Sequence, residues 1–135
     1  MPLNTVDALV QLSFVVQRAL ATVGAEHDLS VVQIRMLGVL RDREPGMLEL
    51  GAYLGLDKSS ITGLVSRAER RGLVRRSASP HDGRVVLVSL TPAGRELTAA
   101  GEVAIRDRVL ALTEHLTSRQ RAELTMLAGT IVGED

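Results

Sequence analysis

The sequence predicts a mainly α protein in which one small β-hairpin interrupts a series of helices, all within a single domain spanning 1–135. Two observations predict that class. Apolar residues recur at three- and four-residue spacing through most of the chain, the period of helices with a buried stripe. Only the segment after Gly72 departs from it, where two apolar, β-branched runs flank Ser79-Pro80-His81-Asp82-Gly83, the turn chemistry of a hairpin. Hydrophobic residues make up 45% of the chain, enough for a real core; one Phe, one Tyr and no Trp make that core aliphatic.

Asn4 or Thr5 can cap a first helix, with Asp7 in its first turn. Val6, Leu9, Val10, Leu12, Phe14, Val15, Val16, Ala19, Leu20 and Val23 then cover most of its circumference. One core-facing stripe needs fewer, so this helix requires cover on two sides, and a second subunit is the expected second cover. Ser30 and Gln33 match a capping box, and Leu29 with Ile34 a hydrophobic staple, so a second helix begins there. Its buried side is expected from Ile34, Leu37, Met36 and Leu40, and it ends before Pro45-Gly46.

A short third helix runs from Met47 to about Leu54, with Leu48 or Leu50 and Leu54 facing inward. Gly51 permits close approach, Gly55 supplies a left-handed turn, and Ile61 and Leu64 anchor the far side: the requirements of a helix-turn-helix corner. Asp57 caps the fourth helix, which buries Ile61, Leu64, Val65 and Ala68 and stops at Gly72. The hairpin strands are expected over Leu73–Ser77 and Arg84–Leu90. Thr91-Pro92 opens a fifth helix that continues through Leu116. Thr117 and Gln120 form a further capping box, so the chain restarts a sixth helix carrying Leu124, Leu127 and Ile131.

Several chemistries are excluded. With no cysteine there is no disulfide, thiol nucleophile or thiolate metal site. His27, His81 and His115 form no ligand spacing, so no metal is expected. No nucleophile–base pair, carboxylate dyad or Gly-rich phosphate loop stands out, so the chain reads as a non-enzyme without cofactors. The N-terminus lacks a basic region followed by an apolar block, and no apolar run approaches membrane-spanning length; a cytoplasmic protein with no membrane partner is expected.

The outer face of the fourth helix carries Lys58, Ser59, Thr62, Ser66, Arg67 and Arg70, with Gly63 among them and no large apolar group. Between Lys58 and Arg84 stand seven cations against two carboxylates, a net of +5, which leaves −5 on the rest of a neutral chain. A cationic helix followed by a hairpin ending in arginine suits a DNA groove, although a polar outer face is also the default for a solvated helix.

The run Leu56-Asp57-Lys58-Ser59-Ser60-Ile61-Thr62, with Arg70-Arg71-Gly72-Leu73-Val74-Arg75-Arg76, Pro80-His81-Asp82-Gly83-Arg84 and Val88-Ser89-Leu90-Thr91-Pro92-Ala93-Gly94, resembles the MarR family of bacterial transcription regulators. The resemblance implies a winged helix-turn-helix lobe over about 30–90 and dimerisation helices over about 4–27 and 92–133. It implies a homodimer that binds a pseudo-palindromic operator in double-stranded DNA, acts as a repressor and is released by a small organic effector. The helix from Asp57 to Arg71 would enter the major groove. Arg84 on the wing would reach the minor groove, with Asp82 either orienting it or merely forming the turn. Lys58, Ser59, Ser60, Thr62, Gly63 and Ser66 fall on the base-facing helix, and Arg67, Arg70, Arg75 and Arg76 as a set would neutralise phosphates. Phe14, Met36 and Tyr53 are candidates for lining a ligand pocket, with ordinary packing the competing reading. Two positions depart from the family: Gly63 stands where a cationic or long polar residue is frequent, and Gly51 where alanine is usual. The alternative function is a winged-helix protein-interaction module, whose basic face meets an acidic partner without operator preference.

Overall fold

The computed structural model describes residues 2–133. Its elements run α1 (Thr5–Glu26), α2 (Val31–Asp42), α3 (Met47–Leu54), α4 (Lys58–Arg70), β1 (Val74–Ala78), β2 (Val86–Leu90), α5 (Pro92–Ala111) and α6 (Ser118–Val132). Local capping chemistry sets most of these boundaries. Asn4 Oδ1 accepts from the Asp7 amide at 2.8 Å and starts α1. Reciprocal Ser30–Gln33 and Thr117–Gln120 boxes start α2 and α6. Gly55 takes φ +67 at the corner between α3 and α4, a conformation that favours glycine.

The core belongs to the central lobe. Met36, Leu37 and Leu40 of α2 meet Leu50 and Leu54 of α3, the inward stripe Ile61, Leu64, Val65 and Ala68 of α4, and Val74, Val88 and Leu90 of the hairpin. Leu50 rather than Leu48 is the inward residue of α3. β1 and β2 pair antiparallel, with Val74 opposite Leu90 and Ala78 opposite Val86. β1 is shifted one residue from the expected Leu73–Ser77, and β2 is two residues shorter than the expected Arg84–Leu90. The Ser79 amide donates to the Val85 carbonyl and the Val85 amide to Asp82, so Arg84 lies in the turn and not in a strand. A third segment joins this sheet: Gly46 bridges Leu87, and the Val88 amide donates to the Pro45 carbonyl at 2.9 Å.

α5 is anchored to the lobe at its first turn. Thr91 Oγ1 accepts from the Gly94 amide at 3.0 Å and its hydroxyl donates to the Gly72 carbonyl. A Cβ on residue 94 would stand 2.0 Å from the Leu73 carbonyl oxygen, so only glycine lets α5 leave the hairpin here. α5 ends at Ala111 and not at Leu116 as expected. Successive turns close with bonds to the residue three back, from Leu112, Thr113 and Glu114, before the Thr117 cap.

The outer helices bury little. α1 buries only Val23 and Gly24, and α6 buries no residue. By length and composition α1 contains an 18-residue window with a mean hydropathy of 1.4, in the range of a membrane-crossing helix, although no unbroken apolar run of that length is present. Gln11, Ser13, Gln17 and Arg18 interrupt the apolar residues of α1, and the average comes from aliphatic residues on all sides.

Candidate nucleic-acid interface

α4 stands as a ridge between two open troughs. One, of about 560 Å³, lies between α3, α4 and the wing and brings together Lys58, Thr62, Arg76 and Arg84. The other, of about 450 Å³, lies along the opposite flank beside Ser59, Ser60, Gly63 and Arg67. Eight of the expected contact residues thus gather around one helix although the last is 26 positions from the first.

The first turn is built by Asp57. Its Oδ1 accepts from the Ser60 amide at 2.8 Å and from the Ser59 hydroxyl at 3.1 Å. These bonds, the Ser60 amide first, hold the Asp57 carboxyl below the usual carboxylate range. A group whose folded value is depressed stabilises fully above its unfolded pKa and loses that contribution as pH falls through the folded one. Asp57→Ala should therefore lower the melting temperature at neutral pH, with the gap to wild type narrowing as pH falls below the ordinary carboxylate value of about 3.9, whereas Asp57→Asn should keep the cap and flatten the pH dependence. Thermal melts of the three chains across pH check this, and a gap that persists unchanged in acid contradicts it.

The hydroxyl hydrogen of Thr62 is spent on the Lys58 carbonyl at 2.7 Å, leaving its oxygen to accept. Gly63 has a use the sequence did not reveal. The space a Cβ there would take lies 3.1 Å from Arg67 Nη1, so the Arg67 guanidinium lies over residue 63. The cation absent at 63 is supplied from the next turn of the helix.

The seven cations of the basic segment are not equivalent. Arg67, Arg70 and Arg75 are exposed. Arg76 is half-buried: it donates to the Ser66 hydroxyl and sits 3.5 Å from Glu69, joining β1 to α4. Ser66 and Arg76 are thus turned toward each other, and they fix the wing against the helix. Arg71 points away, donating to the carbonyls of Asp28 at 2.7 Å and His27 at 3.2 Å in the turn before α2. Arg84 is the opposite extreme. Its side chain is 93% exposed, and Asp82 Oδ1 accepts from its amide at 3.0 Å and from Nε at 3.3 Å. The carboxylate both closes the turn and aims the guanidinium.

Phe14, Met36 and Tyr53 do not form a pocket. Met36 is 0% exposed in the core, Phe14 is 63% exposed on α1, and Tyr53 lies under the Arg43 guanidinium, 5.2 Å from its ring centre. Helical periodicity marks apolar residues and does not tell which of them border empty space. The apolar cavity lies elsewhere, about 110 Å³ between α1, α2 and α5, against Val23, Ile34, Leu37, Leu97 and Ile105. Glu102 at its edge is ion-paired with Arg41 of α2.

A family model described as MarR family matches residues 27–85. The chain is 35% identical over 124 residues to the HTH-type transcriptional regulator TtmR of Methylorubrum extorquens (strain PA1), covering 84% of this chain. It spans 63% of that relative's length. A structure of the transcriptional repressor CouR bound to a 23-mer DNA duplex matches with a TM-score of 0.84 and 26% identity, over 96% of this chain and 92% of that one. Apo MarR from E. coli matches with a TM-score of 0.83 and 24% identity over 97% and 98% of the two chains, a likeness of fold.

Proposed function

The chain belongs to the MarR family, and from that premise we propose that it is a homodimeric, sequence-specific DNA-binding transcription repressor released by a small organic ligand. The observation that carries the reading is the α4 ridge, flanked by two open troughs, with the exposed Arg84 held at its side by Asp82. In this reading α4 enters the major groove with Lys58, Ser59, Ser60 and Thr62 toward base edges and the Arg67 guanidinium above Gly63. Arg70 and Arg75 meet phosphates, Ser66 and Arg76 hold helix and wing in register, and Arg84 inserts into the adjacent minor groove. CouR, a transcriptional repressor of similar fold bound to a DNA duplex, supports this assignment.

The second copy follows from the uncovered helices. α6 has 15 residues and buries none of them, yet a helix of that length is marginal in water without a packed face. A partner chain laid against α1 and α6 supplies that face and sets two α4 ridges roughly 34 Å apart, one duplex turn. A ligand acts on such a dimer only by favouring a geometry that misplaces the ridges. The cavity between α1, α2 and α5 lies where helices from both halves of the chain meet, which suits that role.

Selection of bound fragments from genomic DNA tests the proposal. One recurring inverted repeat is expected, with affinity falling by about a thousandfold between roughly 50 and 200 mM salt, as for six or more phosphate contacts. Retention of fragments without a shared sequence would leave the basic face to some other partner.

A further inference from the structure

We infer that the cavity between α1, α2 and α5 receives an uncharged, largely apolar molecule about one ring in size and excludes carboxylates. The inference rests on the ligand-released reading above and adds the chemistry of the ligand.

The walls are aliphatic, and the ionisable residues among those lining the cavity are His27 and Glu102. Glu102 is already bound by Arg41, whose guanidinium does not line the cavity. His27 Nδ1 donates to the Val23 carbonyl at 3.0 Å, leaving Nε2 without a protein partner among the described residues and free to bond a ligand. A carboxylate entering here would give up its hydration for apolar walls and a neighbouring carboxylate, and would meet no arginine or lysine in exchange. A neutral ring gives up only apolar hydration, which favours entry, and a single hydroxyl or N–H group on it can bond to Nε2.

The second observation concerns what makes the space. Gly38 lies well inside α2 and Gly101 at the middle of α5, where glycine is a poor helix former. Neither has a positive φ, and a Cβ on either would meet no atom within 4 Å. No turn and no close approach requires them. Both line the cavity, so their missing side chains leave it open. Its volume of about 110 Å³ is on the scale of a dry apolar cavity of about 150 Å³ that accepts benzene.

The test uses matched probes on the full chain: p-cresol, benzyl alcohol and indole against 4-hydroxybenzoate, benzoate and indole-3-carboxylate. Thermal shift and operator affinity are read for wild type, Gly101→Leu and the milder double variant Gly38→Ala/Gly101→Ala. The neutral probes are expected to raise the wild-type melting temperature by about 2 °C or more at saturation. They should also weaken operator binding about tenfold. The acids should do neither. Both variants should melt above wild type without a probe, because they add helix formers in open space. Gly101→Leu should lose the response to neutral probes, and the double variant should show it weakened. A response confined to the acids, a full neutral-probe response in Gly101→Leu, or silence of all six probes in a chain that binds its operator overturns the assignment. Failure of wild type to bind any DNA specifically would sink the regulator reading instead, and the thermal shifts would still decide the chemistry of the cavity.

Discussion

Replacing Arg84 by alanine is expected to weaken operator binding about tenfold per wing, and so about a hundredfold for a dimer that uses two. The slope of log affinity against log salt should become shallower by about one for each wing that loses a backbone contact. The magnitude follows from the geometry at the turn. Asp82 accepts from both the amide and Nε of Arg84, so the guanidinium is presented with part of its conformational freedom already spent. A narrow minor groove concentrates negative potential and accepts a planar cation better than a hydrated ammonium, so Arg84→Lys should recover only part of the loss. Because the side chain is 93% exposed, neither substitution should alter the melting temperature. Direct titration of the selected fragment with the three chains measures the effect, and equal affinities would remove the wing from the interface.

A larger loss is expected from Leu127→Asp/Ile131→Asp on α6. The two residues are one turn apart and 57% and 70% exposed within a single chain. They are ordinary surface positions if the chain works alone, and two added charges there would cost little. If a second copy covers them, two carboxylates lose their hydration in an apolar seam and the dimer separates. Each chain then binds one half-site without the high local concentration of the other, a loss of about a hundredfold to ten-thousandfold. Sedimentation should show a single subunit and circular dichroism a lower helix content, since α6 then lacks its packed face. The core of Met36, Leu50, Ile61 and Val88 lies wholly within one chain, so the central lobe should remain folded. An unchanged dimer would place the seam elsewhere.

What the sequence disclosed and what it withheld divide along local and non-local lines. Caps at Asn4, Ser30, Asp57, Thr91 and Thr117 were legible because each is a bond between residues three apart. The inward stripe of α4 was legible for the same reason of period. The end of α5 was misjudged by five residues, because Leu112 and Leu116 continue the apolar pattern while the backbone has already passed into tighter turns. The β-branched run begins beside Arg84 and suggests a strand there, whereas the Ser79–Val85 and Asp82–Val85 bonds place it in the turn. Contacts between distant parts had no signature at all. The Pro45–Val88 bond, Arg71 on the turn at Asp28, and Arg76 on Ser66 belong to this group. The cavity could not be read from apolar spacing, since it depends on two glycines in different helices facing the same space.

Two chains on two half-sites are tested most directly by a protection footprint on the selected fragment, combined with the number of chains bound to it. The expected result is two protected half-sites with centres about one helical turn apart, two chains per fragment, and loss of the outer, minor-groove protection in Arg84→Ala. A single protected half-site occupied by one chain, or protection that follows no sequence, would contradict it.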